Sequence, residues 1–135
     1  MVSVNQNHKK PVILIVEDDP VLQKMYTEKF IFEGFFVLNA RDGIEALEIS
    51  AKNNLDVILL DIMLPRMSGT DFLIKYRKDY KYKNTPVLVL TNLDDNEEKQ
   101  KLFSLGVKYY LIKAMYTPDQ VVKIIKEILN SQTRC

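Results

Sequence analysis

The chain has 135 residues, 47% hydrophobic and 27% charged, with a formal net charge of +1. That is one domain with room for a real core, and too balanced a charge to argue for a nucleic-acid or membrane-surface field. The single cysteine, Cys135, excludes an internal disulfide and suits a reducing cytoplasm.

The opening MVSVNQNHKK has no apolar signal core, and no apolar run approaches the roughly 18 residues of a membrane span. The expectation is a soluble cytoplasmic protein. Residues 1–9 read as a flexible polar tail in which His8 is inert, 10–130 as the folded domain, and 131–135 as a second tail.

Strand and helix patterns alternate five times. Val12–Val16 reads as a strand, and Asp19-Pro20 gives a helix N-cap followed by proline at the first helical position. Leu22, Met25, Tyr26 and Phe30 follow at helical spacing, and Gly34 closes the helix. Phe35–Asn39 is a short second strand, and after Asp42-Gly43 the stripe Ile44, Leu47 and Ala51 marks the second helix. Asp56–Leu60 is the third strand, and a loop through Ile62–Pro65 precedes a helix starting near Ser68–Thr70 and carrying Phe72, Leu73 and Tyr76. Pro86–Leu90 is the fourth strand. The helix from about Asp94-Asp95 is charge-rich, with only Leu102, Phe103 and Leu105 to bury, so it should be the least firmly held. Tyr109–Ile112 is the fifth strand. Thr117-Pro118 opens the last helix, in which Val121, Ile125 and Ile128 face inward to about Asn130.

Unbroken apolar strands separated by helices predict a doubly wound α/β domain, (βα)5, with a parallel sheet and right-handed crossovers. All carboxyl ends of such a sheet lie at one edge, where ligands bind. Glu17, Asp18 and Asp19 follow strand one, Asp61 follows strand three, Thr91 strand four and Lys113 strand five. Asp19 is accounted for as a helix cap. Glu17, Asp18 and Asp61 are hard oxygen donors of the kind that hold a divalent cation, an ionised Asp61 is a nucleophile, and Lys113 is a point charge suited to phosphate.

With these residues in place the chain resembles a receiver domain of the two-component response regulators from about Lys10 to Asn130. The resemblance rests on the acidic pair after strand one, LLDIMLPRMSG around Asp61, LTN after strand four and YYLIK before the last helix. It implies a flavodoxin-like sheet of order 2-1-3-4-5. It also implies a phosphoacceptor Asp61 that takes a phosphoryl group from a sensor histidine kinase or phosphotransfer protein. Mg2+ (or Mn2+) would be held by Glu17, Asp18, Asp61 and the backbone carbonyl of Met63. Thr91, Lys113 and the backbone amide of Asn92 would contact the phosphoryl oxygens. Thr91 and Tyr110 would form the switch, and the fourth helix, fifth strand and fifth helix would present a surface to an unknown protein target or to a second copy of the chain. No DNA-binding segment is visible, and no enzyme activity toward an external substrate is expected.

Four positions depart from the commonest family pattern. Ala114 follows Lys113 where relatives usually have proline after a cis bond, and the expectation is that the cis bond is kept so that Lys113 reaches Asp61. Asn92 replaces a small residue and either narrows access to Asp61 or adds a hydrogen bond. Met63 and Leu93 are apolar where relatives often present groups that orient water, which predicts slow self-dephosphorylation.

The run Lys75–Lys83 interleaves five cations with three tyrosines and is expected to be a solvated helix end rather than a nucleic-acid patch. Val122 and Leu129 widen the last helix's apolar stripe, compatible with a dimer face or with the core. Two rivals remain: a receiver-like interaction module that takes no phosphate, and a haloacid-dehalogenase-type phosphatase with Asp61 as nucleophile. The second would need an acid two residues on, where Met63 stands, and a cap domain.

Overall fold

The computed structural model describes residues 9–133, so residues 1–8 of the expected N-terminal tail, His8 among them, and residues 134–135 lie outside the described residues. Five strands, β1 (Val12–Val16), β2 (Phe36–Ala40), β3 (Val57–Leu60), β4 (Val87–Thr91) and β5 (Tyr109–Ile112), form one parallel sheet of order β2-β1-β3-β4-β5. Five helices connect and follow them: α1 (Pro20–Phe32), α2 (Gly43–Lys52), α3 (Gly69–Arg77), α4 (Asn96–Ser104) and α5 (Pro118–Thr133). Short 3-10 turns occupy Tyr80–Tyr82 and Lys113–Met115.

Alternation along the strands divides the core into two layers. Ile13, Ile15, Leu59, Leu88, Leu90 and Leu111 meet Tyr26 and Phe30 of α1 and Val121, Ile125 and Ile128 of α5 on one face. Leu14, Val16, Ile58, Leu60, Val87 and Val89 meet Ala46 of α2, Phe72, Leu73 and Tyr76 of α3 and Leu102 of α4 on the other. Val122 is buried in the first layer and Leu129 packs against it, so the wide stripe on α5 is core.

The helix starts follow the local chemistry. Asp19 accepts from the backbone N–H groups of Val21 and Leu22, Asp42 from Glu45, Ser68 from Asp71 and Asp95 from Glu97. Thr117 and Gln120 close a reciprocal capping box, the Gln120 N–H donating to Thr117 Oγ1 and the Thr117 N–H to Gln120 Oε1. Boundaries shift slightly from expectation. β2 starts at Phe36 because Phe35 turns into the core beside Phe30, β4 takes in Thr91, and α5 runs to Thr133, past Asn130.

As expected, α4 is thinly packed, with Leu102 its one buried residue. A hydrogen bond from Thr70 Oγ1 on α3 to the Glu98 carboxylate ties it to its neighbour.

Candidate functional site

Strand register brings the chemistry together. Val16 pairs with Leu60, so Glu17 and Asp61 leave neighbouring strands side by side. Thr91 pairs with Ile112, which brings Lys113 to the same edge. Pairing continues one residue past the strands, with the Asp61 N–H donating to the Val16 carbonyl at 3.0 Å and the Glu17 N–H to the Ala40 carbonyl at 3.0 Å. Gln23 Nε2 donates to the carbonyls of Glu17 and Ala40 at 3.0 and 3.2 Å, which fixes the turn from β1 into α1.

Lys113 is the centre of the arrangement. Its Nζ lies 2.7 Å from Glu17 Oε1 and 2.7 Å from Asp61 Oδ2, with side-chain exposures of 16% for Lys113, 8% for Glu17 and 6% for Asp61. The second oxygen of each carboxylate accepts a backbone N–H: Asp61 Oδ1 from Met63 at 3.2 Å and Glu17 Oε2 from Asp19 at 2.9 Å. Desolvation pushes the Glu17 carboxyl up, and although Lys113 and the Asp19 N–H pull the other way, it stays above the usual carboxylate range. For Lys113 desolvation works against the charge, but its hydrogen bonds to Asp61 and Glu17 outweigh it and leave the ammonium above its ordinary value.

Glu17, Asp18 and Asp61 each offer a carboxylate oxygen, all within 4.8 Å of one another, with Asp18 exposed at the mouth. Three carboxylates against one ammonium leave a formal charge of −2. Hard oxygen donors, a residual charge of −2 and one solvent-facing ligand fit a Mg2+ or Mn2+ ion.

The remaining predicted residues flank this pocket. Thr91 is fully buried and its Oγ1 accepts from the Leu93 N–H at 3.3 Å. Tyr110 is half-buried, its hydroxyl donates to the Leu93 carbonyl, and Lys99 Nζ lies 5.4 Å from its ring centroid. Burial first, then the carboxylates of Glu98, Asp94 and Asp95, push the Tyr110 hydroxyl up to about 12, so it stays a neutral donor. Asn92 is exposed, Leu93 is half-buried and Met63 is 59% exposed.

One expectation is corrected. The Lys113–Ala114 peptide is trans, as are all peptide bonds among the described residues. Lys113 enters the 3-10 turn Lys113–Met115 and reaches both carboxylates from there. Proximity to Asp61 therefore does not need a cis bond, which without proline would cost about 2.5–4 kcal/mol.

The loop after Asp61 is held by contacts that residue spacing does not announce. The Gly69 N–H donates to the Ile62 carbonyl at 3.0 Å, folding the loop back on its own start. A Cβ at Gly69 would sit 2.2 Å from the Asp61 carbonyl oxygen, so no side chain fits there. Arg66 adopts a left-handed backbone at φ 62°, uncommon without glycine. Its guanidinium grips buried Asp42, with Nε at 2.8 Å and Nη2 at 2.7 Å from Oδ2. Desolvation opposes that charge on Asp42, but the Glu45 N–H and Arg66 hold its carboxyl below the usual range. The Gly43 N–H adds a bond to the Met67 carbonyl at 2.9 Å. The only sequence signal was the Ser68-Gly69 pair before the helix.

A doubly wound parallel sheet with a lysine-bridged carboxylate pair and a third carboxylate at its carboxyl edge defines a class of signalling domain, and sequence comparison agrees. Residues 13–126 match the family described as the response regulator receiver domain. The chain belongs to the response regulator receiver domain family.

It is 34% identical over 118 residues to the hybrid signal transduction histidine kinase D of Dictyostelium discoideum, covering 87% of this chain and 8% of that protein. It is 36% identical over 120 residues to the transcriptional regulatory protein SrrA of Staphylococcus aureus, covering 87% of this chain and 47% of that protein. The chain thus spans less than half the length of either relative. Among solved structures, the chemotaxis response regulator CheY4 of Vibrio cholerae superposes with a TM-score of 0.81 at 32% identity, covering 89% of this chain and 99% of that one. The Francisella response regulator 1452 receiver domain superposes with a TM-score of 0.80 at 34% identity, covering 93% and 100%. No helix among the described residues is long and apolar enough to cross a membrane.

Proposed function

We propose that this chain is a phospho-acceptor switch that takes a phosphoryl group on Asp61 from the phosphohistidine of a sensor kinase or phosphotransfer protein. The carrying observation is the double clasp of Lys113 on Asp61 and Glu17, which holds the nucleophile candidate inside an acidic pocket. In the reaction an Asp61 carboxylate oxygen attacks phosphorus, the P–N bond breaks, and the pair of electrons returns to the imidazole, which takes up a proton. Such transfers have loose transition states, so the domain's part is positioning and charge neutralisation. Lys113 keeps a positive charge beside the accepting carboxylate, and the Met63 N–H fixes its orientation. Glu17, Asp18, Asp61 and the Met63 carbonyl would hold Mg2+, which when bound neutralises phosphoryl charge. Turnover of free phosphate esters is not part of this function.

Signal output has a local lever. Thr91 and Tyr110 both bind Leu93, one through its N–H and the other through its carbonyl. A hydroxyl drawn from the Leu93 N–H toward the phosphoryl group would loosen Leu93 and with it Tyr110. The thinly packed α4 adjoins that segment, so the α4-β5-α5 face is where phosphate shifts the population between two states. A partner protein or a second copy would read that face.

Incubation with phosphoramidate and Mg2+, read by intact mass, tests this. One added phosphoryl group, absent in Asp61→Asn, is the expected result. No adduct in either protein would leave an interaction module, and release of phosphate from free esters would indicate a phosphatase.

Exposed Met63 offers only a weak thioether acceptor to an attacking water. Met63→Asn should shorten the phosphoryl lifetime about tenfold, the worth of one hydrogen bond of roughly 1.4 kcal/mol. An unchanged lifetime would remove Met63 from that role.

A further inference from the structure

At the opposite edge of the sheet from Asp61, the end of α3, the Tyr80–Tyr82 turn and the start of β4 carry a second concentration of charge. Residues 75–83 hold Lys75, Arg77, Lys78, Lys81 and Lys83 against one carboxylate, Asp79. Asp79 is committed to the turn, accepting the Lys81 N–H at 3.2 Å. Among the described residues, partly buried Lys29, Lys99 and Lys113 each contact a carboxylate. None of the five cations of this segment does.

Arg77 is the most exacting of them. It is half-buried and pinned, Nε donating to the Leu105 carbonyl at 2.9 Å and Nη1 to the Tyr82 carbonyl at 2.7 Å. Two carbonyls orient the guanidinium but leave its charge uncompensated, and desolvation pulls its pKa below the ordinary value. A partly buried cation without a counter-ion is costly, so an anion placed there is favoured twice, by attraction and by relief of that cost.

Beside Arg77 lies an open cleft of about 620 Å³, lined also by Lys83, Asn84, Thr85 and Lys108 and by no carboxylate. Its volume falls within the range of small-ligand sites. Lys83 links the cleft to Tyr80, which lies outside the lining: its Nζ sits 4.3 Å from the centroid of the Tyr80 ring and donates to the Tyr80 hydroxyl at 3.1 Å, and Tyr80 is 76% exposed. Cations that suit phosphates next to an exposed aromatic ring are the pairing that nucleotides use, with the base stacked and the phosphates neutralised. An acidic peptide supplies the charge but no flat ring for Tyr80.

We propose that this cleft binds the phosphate chain of a nucleotide, either a free nucleoside polyphosphate or a single-stranded oligonucleotide. Arg77 and Lys83 and Lys108 take the phosphates, and Tyr80 takes the base. The site is separate from phosphate acceptance at Asp61.

Titration of the 15N-labelled protein at low salt without Mg2+ tests it, using ATP, a uridylate decamer and polyglutamate as probes. ATP or the decamer should shift the amides of Tyr80–Thr85 and Gly106–Lys108 and leave those of Glu17 and Asp61 in place. The tighter of the two identifies the source of the phosphate. The exposed double substitution Lys83→Gln with Lys108→Gln should weaken that binding by roughly tenfold while the protein still accepts phosphate normally. Absence of shifts with both nucleotides, binding indifferent to the double substitution, or polyglutamate binding as tightly as the nucleotides would each overturn the proposal.

Discussion

Replacing Lys113 with methionine should destabilise the metal-free domain by about 3 kcal/mol, the lower end of what breaking a buried ion pair costs. Methionine keeps the packing of the stem, so the loss isolates the charge. Two carboxylates with side-chain exposures of 8% and 6% would then face each other without a counter-ion. The pH dependence has a definite sign. Glu17 already holds its proton more tightly than an ordinary carboxyl because of burial, and loss of the Lys113 hydrogen bond and charge raises it further above its unfolded value. The destabilisation is therefore full near neutral pH and shrinks as pH falls toward the carboxylate range. Mg2+ should restore part of it, since the ion fits the same three carboxylates. Urea unfolding of both proteins with EDTA and with Mg2+ makes the comparison. A Lys113→Met protein as stable as the parent in EDTA would show that the clasp does not hold the pocket together.

Gly69→Ala should be the most damaging small substitution outside the acidic pocket. The added methyl would lie 2.2 Å from the Asp61 carbonyl oxygen and 3.0 Å from the Asp61 carbonyl carbon and Ile62 Cα, all of them backbone. No rotamer change relieves such contacts, so the loop that carries Asp61 must move. Overpacking of this kind costs about 2–3 kcal/mol. Because it displaces the nucleophile, the rate of phosphoryl acceptance should fall by roughly a hundredfold.

Gly34→Ala is the control. Its φ of +92° disfavours a side chain, but a Cβ there meets nothing within 4 Å. It should cost about 1 kcal/mol of backbone strain and leave acceptance unchanged. Equal acceptance rates in the two alanine variants would contradict the close-packing account of Gly69.

The sequence carried the sheet because each strand is an apolar run that ends on a polar residue, and the caps because Asp19, Asp42, Ser68 and Thr117 stand just before helices. Knowing that the strands are parallel was enough to bring Glu17, Asp61 and Lys113 to one edge. What escaped the pattern were features set by distance rather than by residue type. Gly69 looks like any glycine near a helix start until its approach to Asp61 is measured. The grip of Arg66 on Asp42 joins residues in different loops, and nothing in the spacing announces it. The cis expectation at Lys113–Ala114 failed because it assumed that reach required a particular peptide geometry, whereas a flexible four-carbon stem supplies it. β2 slid by one residue because Phe35 and Phe36 are equally apolar and only the fold decides which is buried.

The proposed switch depends on which atom receives the phosphoryl group. Treating the protein with phosphoramidate and Mg2+, reducing the acyl phosphate with borohydride and locating the resulting homoserine by peptide mass spectrometry answers that directly. The modification should appear at position 61 alone and vanish in Asp61→Asn. Homoserine at Asp18 or elsewhere, or none in a protein that has gained phosphate, would contradict it.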